Sequence, residues 1–258
     1  MAQNKMANIH PNAKVAESAV VEAFATVEED VVIGEGTWIG PNAVVMNGAR
    51  IGKNCKVFPG AVVSAEPQDL KYQGEESIVT IGDNTTIREC VTVNKGTSDR
   101  METKIGNNCL LMAYVHVAHD TFIGDNVIVA VGVALAGHMD IEDYVIIEGM
   151  AGAQQFVKIG AHSFIAAYSQ IRKNVPPFIK CAREPLSYTG VNTIGLRRRG
   201  WDDEAIREIE NIYRTLYVHN KNILNALNQI EEEYPDSPHK RKIVDFIKNS
   251  ENGIVKRP

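Results

Sequence analysis

An aliphatic side chain returns every sixth residue along most of this 258-residue chain. The stripe begins Ile9, Val15, Val21, Val27, Ile33, Ile39, Val45, Ile51, Val57, Val63. A small or slim side chain follows four residues later, as at Ala13, Ala19, Ala25, Thr37, Ala43, Ala49, Cys55 and Ala61. The phase survives two interruptions. It resumes with Ile81, Ile87 and Val93, then runs from Ile105 to Ile171, where Ala153 is the one member that is not a large aliphatic. A helix of period 3.6 cannot keep such a stripe on one face, and a flat strand alternates every two residues. A period of six suits short parallel strands joined by tight turns, three strands to a triangular coil of eighteen residues. Large aliphatics point into the prism, small residues fit its corners, and coils stack about 4.8 Å apart. Gly34, Gly40, Gly52, Gly82, Gly106 and Gly124, with Asn54, Asn84 and Asn126, are expected to supply turn conformations costly for other residues. The expected fold class is an all-β, left-handed parallel β-helix built on a hexapeptide repeat over residues 1–190. A solenoid of this kind needs a cap at its open end.

The polar stretch 64–80, with Pro67 and Gly74, reads as a loop thrown out from the helix, and 98–104 as a shorter one. Long loops on a rigid scaffold often carry function. The repeat stops at Val175-Pro176-Pro177, and a non-repeating stretch follows to Gly200. Asp202 or Asp203 then looks like a helix N-cap, with Ile206, Ile209, Tyr213, Leu216 and Tyr217 at helical spacing, continued by Ile223, Leu224, Leu227 and Ile230. Ser237-Pro238 starts another helix. A small C-terminal α-helical domain is therefore expected over 191–258.

A formal charge of -5 gives no overall nucleic-acid signature, so any basic site is local. The most apolar stretch, Val127 to Gly137, is too short to cross a bilayer. The first eleven residues hold no apolar signal core, and the four cysteines show no CxxC spacing. A reduced, cytoplasmic location is the expectation.

The eighteen-residue coil also places side chains. His119 follows Val117, His138 follows Leu135, and Gln154 and Gln155 follow Ala153, at steps of eighteen in the stripe. The expectation is that these residues stack in vertical register on one face, flanked by His116 and Asp120. An acid beside a histidine fits general-base chemistry: imidazole needs one nitrogen protonated and held so that the other accepts a proton. A zinc site of His116, His119 and His138 fits the spacing less well, and Gln154 is a poor zinc ligand. No metal or cofactor is expected.

Several elements occur together in order: Gln68-Asp69-Leu70-Lys71-Tyr72, His116-Val117-Ala118-His119-Asp120, Leu135-Ala136-Gly137-His138, Val175-Pro176-Pro177, and Gly190-Val191-Asn192 followed by Gly195-Leu196-Arg197-Arg198-Arg199-Gly200. With the repeat, they resemble the acyl-(acyl-carrier-protein)–UDP-N-acetylglucosamine O-acyltransferases over nearly the whole chain. The resemblance implies a homotrimer with active sites between neighbouring β-helices. It implies transfer of a 3-hydroxyacyl group from acyl carrier protein to the 3-OH of UDP-N-acetylglucosamine, the first step of lipid A synthesis. Carried over residue by residue, His119 matches the general base and Asp120 its orienting partner. Gly137 matches the backbone donor to the oxyanion, and His138 a sugar- or acyl-contacting histidine. Asp69, Lys71, His116 and Gln155 match sugar-nucleotide and acyl contacts. Asn192, Arg198 and Arg199 match the nucleotide end.

The chain departs from that pattern at three places. Gln154 stands where histidine is frequent, which leaves it a hydrogen-bonding role in substrate binding rather than proton transfer. Ile194 replaces a carboxylate, and Asn94-Lys95-Gly96 replaces His-Arg-Gly. The acyl-length position carries the small Ala167, which implies a long hydroxyacyl chain. Acyl carrier protein is acidic, so Arg172, Lys173 and the arginines near 198 are candidate docking residues. A related N-acyltransferase carries an additional N-terminal uridine-binding domain, whereas the repeat here begins at Ile9, so it is the less expected reading. A non-enzymatic scaffold would not need these elements aligned on one cleft.

Overall fold

The computed structural model describes residues 2–3, 5–220 and 222–257. It is a left-handed parallel β-helix closed by helices at its C-terminal end. Strands of mostly two residues form three sheets, and through the coils each strand pairs in parallel with the one three positions later in the chain; the exception is the C-terminal end of one sheet. In one sheet Val117 pairs with Leu135 and Leu135 with Ala153, so the eighteen-residue step is met in these coils. The first of each two strand residues faces outward and the second inward. Ile33, Ile87, Leu111, Val117, Leu135 and Ile147 are at most 1% exposed. Truncating one of them, as in Leu135→Ala, leaves a cavity that the rigid neighbouring coils cannot fill, at a cost of about 2–5 kcal/mol.

Corner residues adopt positive φ, including Asn54, Asn84 and Asn126 and also Asp120, His138 and Phe156. The glycines Gly34, Gly40, Gly52, Gly82, Gly106 and Gly124 do not have this conformation, contrary to the expectation from sequence. Their role is close approach between coils. A Cβ on Gly34 would stand 2.6 Å from the Gly52 carbonyl, and one on Gly106 would stand 2.5 Å from the Gly124 oxygen.

The excursions are narrower than their composition suggests. Strands Val62–Ala65 and Ile78–Ile81 take both ends of the first, and Glu102–Ile105 takes the end of the second. Nor does the coil stop at Val175. Val175 bridges Ile159, and Ile179–Ala182 pairs in parallel with Phe164–Ile165. The chain then reverses, and Ser187–Val191 covers that strand antiparallel.

Among the described residues four α-helices follow: α1 (Thr193–Arg198), α2 (Asp203–Arg214), α3 (Ile223–Glu233) and α4 (Pro238–Lys248). Helix α1 lies inside the stretch that shows no pattern in sequence. Asp202 caps α2 by accepting from the Ala205 N–H at 2.7 Å, and Ser237 caps α4 by accepting from the Lys240 N–H at 3.0 Å. The run through Leu216 and Tyr217 is a π-helical turn, Thr215–His219, rather than continued α-helix. Ile206, Ile209, Ile212 and Tyr213 bury one face of α2 against the reversed strand and α4. Ala226, Leu227 and Ile230 are buried on α3, whereas Ile223 and Leu224 stay exposed.

Candidate active site

The coil arithmetic builds a cleft on one corner of the prism. His119 and Asp120 follow strand His116–Val117, and Gly137 and His138 follow strand Ala134–Leu135. The strict vertical register expected for His119 and His138 is off by one residue, because the two are nineteen apart. His119 aligns instead with Gly137 and Gln155, and Asp120 with His138 and Phe156. Gln154 aligns with Ala118 and Ala136 and is exposed. The two histidine rings still meet, edge to face, with centroids 5.0 Å apart, and His138 stacks on Phe156 at 4.6 Å.

His119 is 4% exposed and Asp120 is fully buried. His119 Nδ1 lies 2.7 Å from Asp120 Oδ2. Asp120 also accepts from the Thr97 N–H at 3.0 and 3.1 Å, from the Thr97 hydroxyl at 2.7 Å and from the Arg100 N–H at 3.0 Å. Burial pushes the Asp120 carboxyl up. The donors from Thr97, His119 and Arg100 more than reverse that push and hold it below the usual carboxylate range. An ionised Asp120 requires the proton on His119 Nδ1, which leaves Nε2 as an acceptor facing the cleft.

Asp69, on the first excursion, brings Oδ2 to 3.5 Å from His119 Nε2 and accepts from the Lys71 N–H at 2.9 Å; Lys71 itself is exposed. His116 Nδ1 is 2.7 Å from the Thr92 hydroxyl, and burial, reinforced by nearby His119, lowers its pKa. His138 Nδ1 is 2.8 Å from Asp99 Oδ2 but out of line for a hydrogen bond, so the two side chains approach without bonding. The cleft measures about 360 Å³ and is lined by Gln68, Asn94, His116, His119, Gly137 and Gln155 among others. The Gly137 N–H has no hydrogen-bond partner within the described residues. One ligand atom each from His119, Asp120 and His138 fits within 4.8 Å, but Asp120 is saturated by donors and unsuited to a cation.

The remaining residues lie elsewhere on the same chain: helix α1, between Asn192 and Arg199, is tied to one further corner, and Ala167 lies on the other. Asn192 caps α1 through the Gly195 N–H at 3.2 Å and donates to the His162 carbonyl at 2.9 Å. Arg199 donates to the Tyr144 carbonyl at 3.0 Å and lies 5.3 Å over the Tyr144 ring. Arg198 is exposed. Tyr144 and His162 belong to the next corner, and Ala167, exposed, to the third. Sequence reasoning missed Thr97, Asp99 and Arg100, which lie on a loop with no period. Phe156 was reachable, being eighteen residues after His138.

Known proteins agree with this architecture. Residues 174–255 match the family described as UDP N-acetylglucosamine O-acyltransferase, domain 2, and residues 30–65 and 102–137 match bacterial transferase hexapeptide repeats. The acyl-(acyl-carrier-protein)–UDP-N-acetylglucosamine O-acyltransferase of Aliivibrio fischeri is 41% identical over 261 residues, covering 96% of this chain and 100% of the relative. That of a Janthinobacterium species is 41% identical over 201 residues, covering 76% and 77%. A crystal structure of the UDP-N-acetylglucosamine acyltransferase of Bacteroides fragilis superposes with a TM-score of 0.96 at 45% identity, covering 98% of this chain and 99% of that one. Sharing this fold end to end and more than two-fifths of its residues with such enzymes, the chain belongs to the acyl-(acyl-carrier-protein)–UDP-N-acetylglucosamine O-acyltransferase family.

Proposed function

We propose that this protein transfers a 3-hydroxyacyl chain from acyl carrier protein to the 3-OH of UDP-N-acetylglucosamine, the opening step of lipid A synthesis. The observation that carries this reading is the buried Asp120–His119 pair, with Nε2 free toward the cleft and Asp69 beside it. The sugar hydroxyl gives its proton to His119 Nε2 as its oxygen attacks the thioester carbonyl. The imidazolium so formed is held by Asp120. The Gly137 N–H donates to the oxyanion of the tetrahedral intermediate, worth about 3 kcal/mol for a fixed donor. The C–S bond then breaks, and the proton on His119 passes to the leaving thiolate. Asp69, Lys71, His116 and Gln155 orient the sugar nucleotide and acyl chain, with His138, whose ring meets His119, and the exposed Gln154 as further substrate contacts.

We propose further that the working unit is a homotrimer. Asn192, Arg198, Arg199 and Ala167 sit on different corners from His119, so one chain cannot place them around its own cleft; neighbouring chains can. The acidic carrier protein is assigned to a groove of about 580 Å³ lined by Lys173, Arg183, Pro185, Leu186, Lys256 and Arg257, whose apolar floor and cationic rim suit an acidic partner. Nearby Arg172 is turned toward Glu184 at 3.6 Å. Four unpaired cysteines fit a cytoplasmic location. Among the described residues no helix is long and apolar enough to cross a membrane.

The test is an acyl-transfer assay with UDP-N-acetylglucosamine and 3-hydroxyacyl carrier protein. His119→Ala is expected to lose at least about a hundredfold in kcat/KM. Undiminished transfer by the variant would remove His119 from the mechanism.

A further inference from the structure

The carboxylate behind His119 is shared. Asp120 Oδ2 takes both His119 Nδ1 and the Thr97 hydroxyl, each at 2.7 Å. Thr97 is 7% exposed and lies just ahead of the second excursion, in the loop between strands Thr92–Asn94 and Glu102–Ile105. Apart from His119 itself, the repeat supplies no donor to this carboxylate. The Thr97 and Arg100 N–H groups also reach it from the same loop, and Arg100 anchors the loop by pairing its guanidinium with Asp140 at 2.7 and 3.3 Å.

We infer that Thr97 is a positioning residue that sets the basicity of His119 by competing for the Asp120 oxygen that holds it. An oxygen accepting from a hydroxyl has less negative charge to offer the imidazole. Without the hydroxyl, Oδ2 binds the imidazole alone and stabilises the imidazolium more strongly. The effect therefore has a sign: losing the Thr97 hydroxyl raises the His119 pKa. Simple disorder of the loop would do the reverse, because a displaced or solvated Asp120 holds the imidazolium less well.

Other titratable groups facing the pair are identifiable. Asp69 Oδ2 lies 3.5 Å from His119 Nε2, and His138 Nε2 lies 4.0 Å from Asp120 Oδ2. Asp99 stands 2.8 Å from His138, and His116 occupies the strand leading into His119. Thr97→Val or Thr97→Ser leaves these groups in place.

The inference rests on His119 as the base of the proposed transfer, but its first readout does not. Nitrogen-15 histidine NMR, with the His119 signals assigned by His119→Gln, gives the imidazole pKa whether or not the protein is active. Thr97→Val is expected to raise it by about half a unit or more, and Thr97→Ser to restore it. The acid limb of kcat/KM against pH should shift in the same direction. Thr97→Ala carries the test if the valine variant fails to fold. An unchanged or lowered His119 pKa in the hydroxyl-free variant, or failure of serine to restore it, overturns the inference. A raised pKa in a protein without acyltransferase activity would sink the proposed function instead.

Discussion

Gly137 stands one coil away from His119, and a Cβ on it would lie 2.7 Å from the imidazole Cε1 and 2.9 Å from Nε2. The absence of a side chain there makes room for the ring, and the Gly137 N–H has no hydrogen-bond partner among the described residues. Gly137→Ala is expected to tilt His119 off its line to substrate and to lower kcat/KM at least tenfold. Stability should fall by only about 1–3 kcal/mol, the usual cost of overpacking. Steady-state rates and a melting curve check this; wild-type kinetics in the variant would show that the ring has slack.

If catalytic clefts are shared between chains, two dead variants should rescue each other. His119→Ala and Arg198→Ala lie on different corners, so a mixed trimer can pair an intact His119 with a neighbour's intact Arg198. Co-expression followed by a transfer assay is expected to return about a quarter of wild-type activity, the random-assembly fraction of clefts with both parts intact. No recovery would mean that each chain builds its site alone.

Acid should weaken the protein at the corner of Tyr144 and His162. Burial, with Arg199 and Lys242 adding to it, pulls the His162 pKa down to about 4. An unfolded chain takes a proton there near pH 6.5. Between these values the unfolded state binds more protons, so stability rises with pH and is lost as pH falls from about 6.5 toward 4. Allowing for the ring's partial exposure, the loss is about 1–2 kcal/mol. His162→Phe, which keeps an aromatic ring between Tyr144 and Phe178, should not show it. Urea unfolding of both proteins at pH 7 and pH 4.5 makes the comparison.

Donor length offers a fourth check. Ala167 is small and exposed at its corner; in the proposed homotrimer it would leave a neighbour's acyl groove open. Rates should favour donors longer than ten carbons, and Ala167→Met should move the optimum to shorter chains. Each methylene lost from an apolar groove is worth about 0.8 kcal/mol. A sharp ten-carbon optimum in the wild type would contradict the assignment.

The sequence by itself determined the coil. Because every sixth residue must enter the core, the pairing of Val117 with Leu135 and Ala153 is arithmetic, and so is the meeting of the two histidines at one corner. The π-turn after α2 and helix α1 were hidden, since short segments lack the length for a period to show. Only the tertiary structure decided what holds Asp120. Thr97 and Arg100 reach it across more than one coil's length of sequence, through hydrogen bonds that leave no repeating mark. It also decided that Asn192 and Arg199 are tied to the corner of Tyr144 and His162, away from His119. A hydrophobic period encodes which side chains enter the core, whereas a polar contact from a loop depends on where the loop lands.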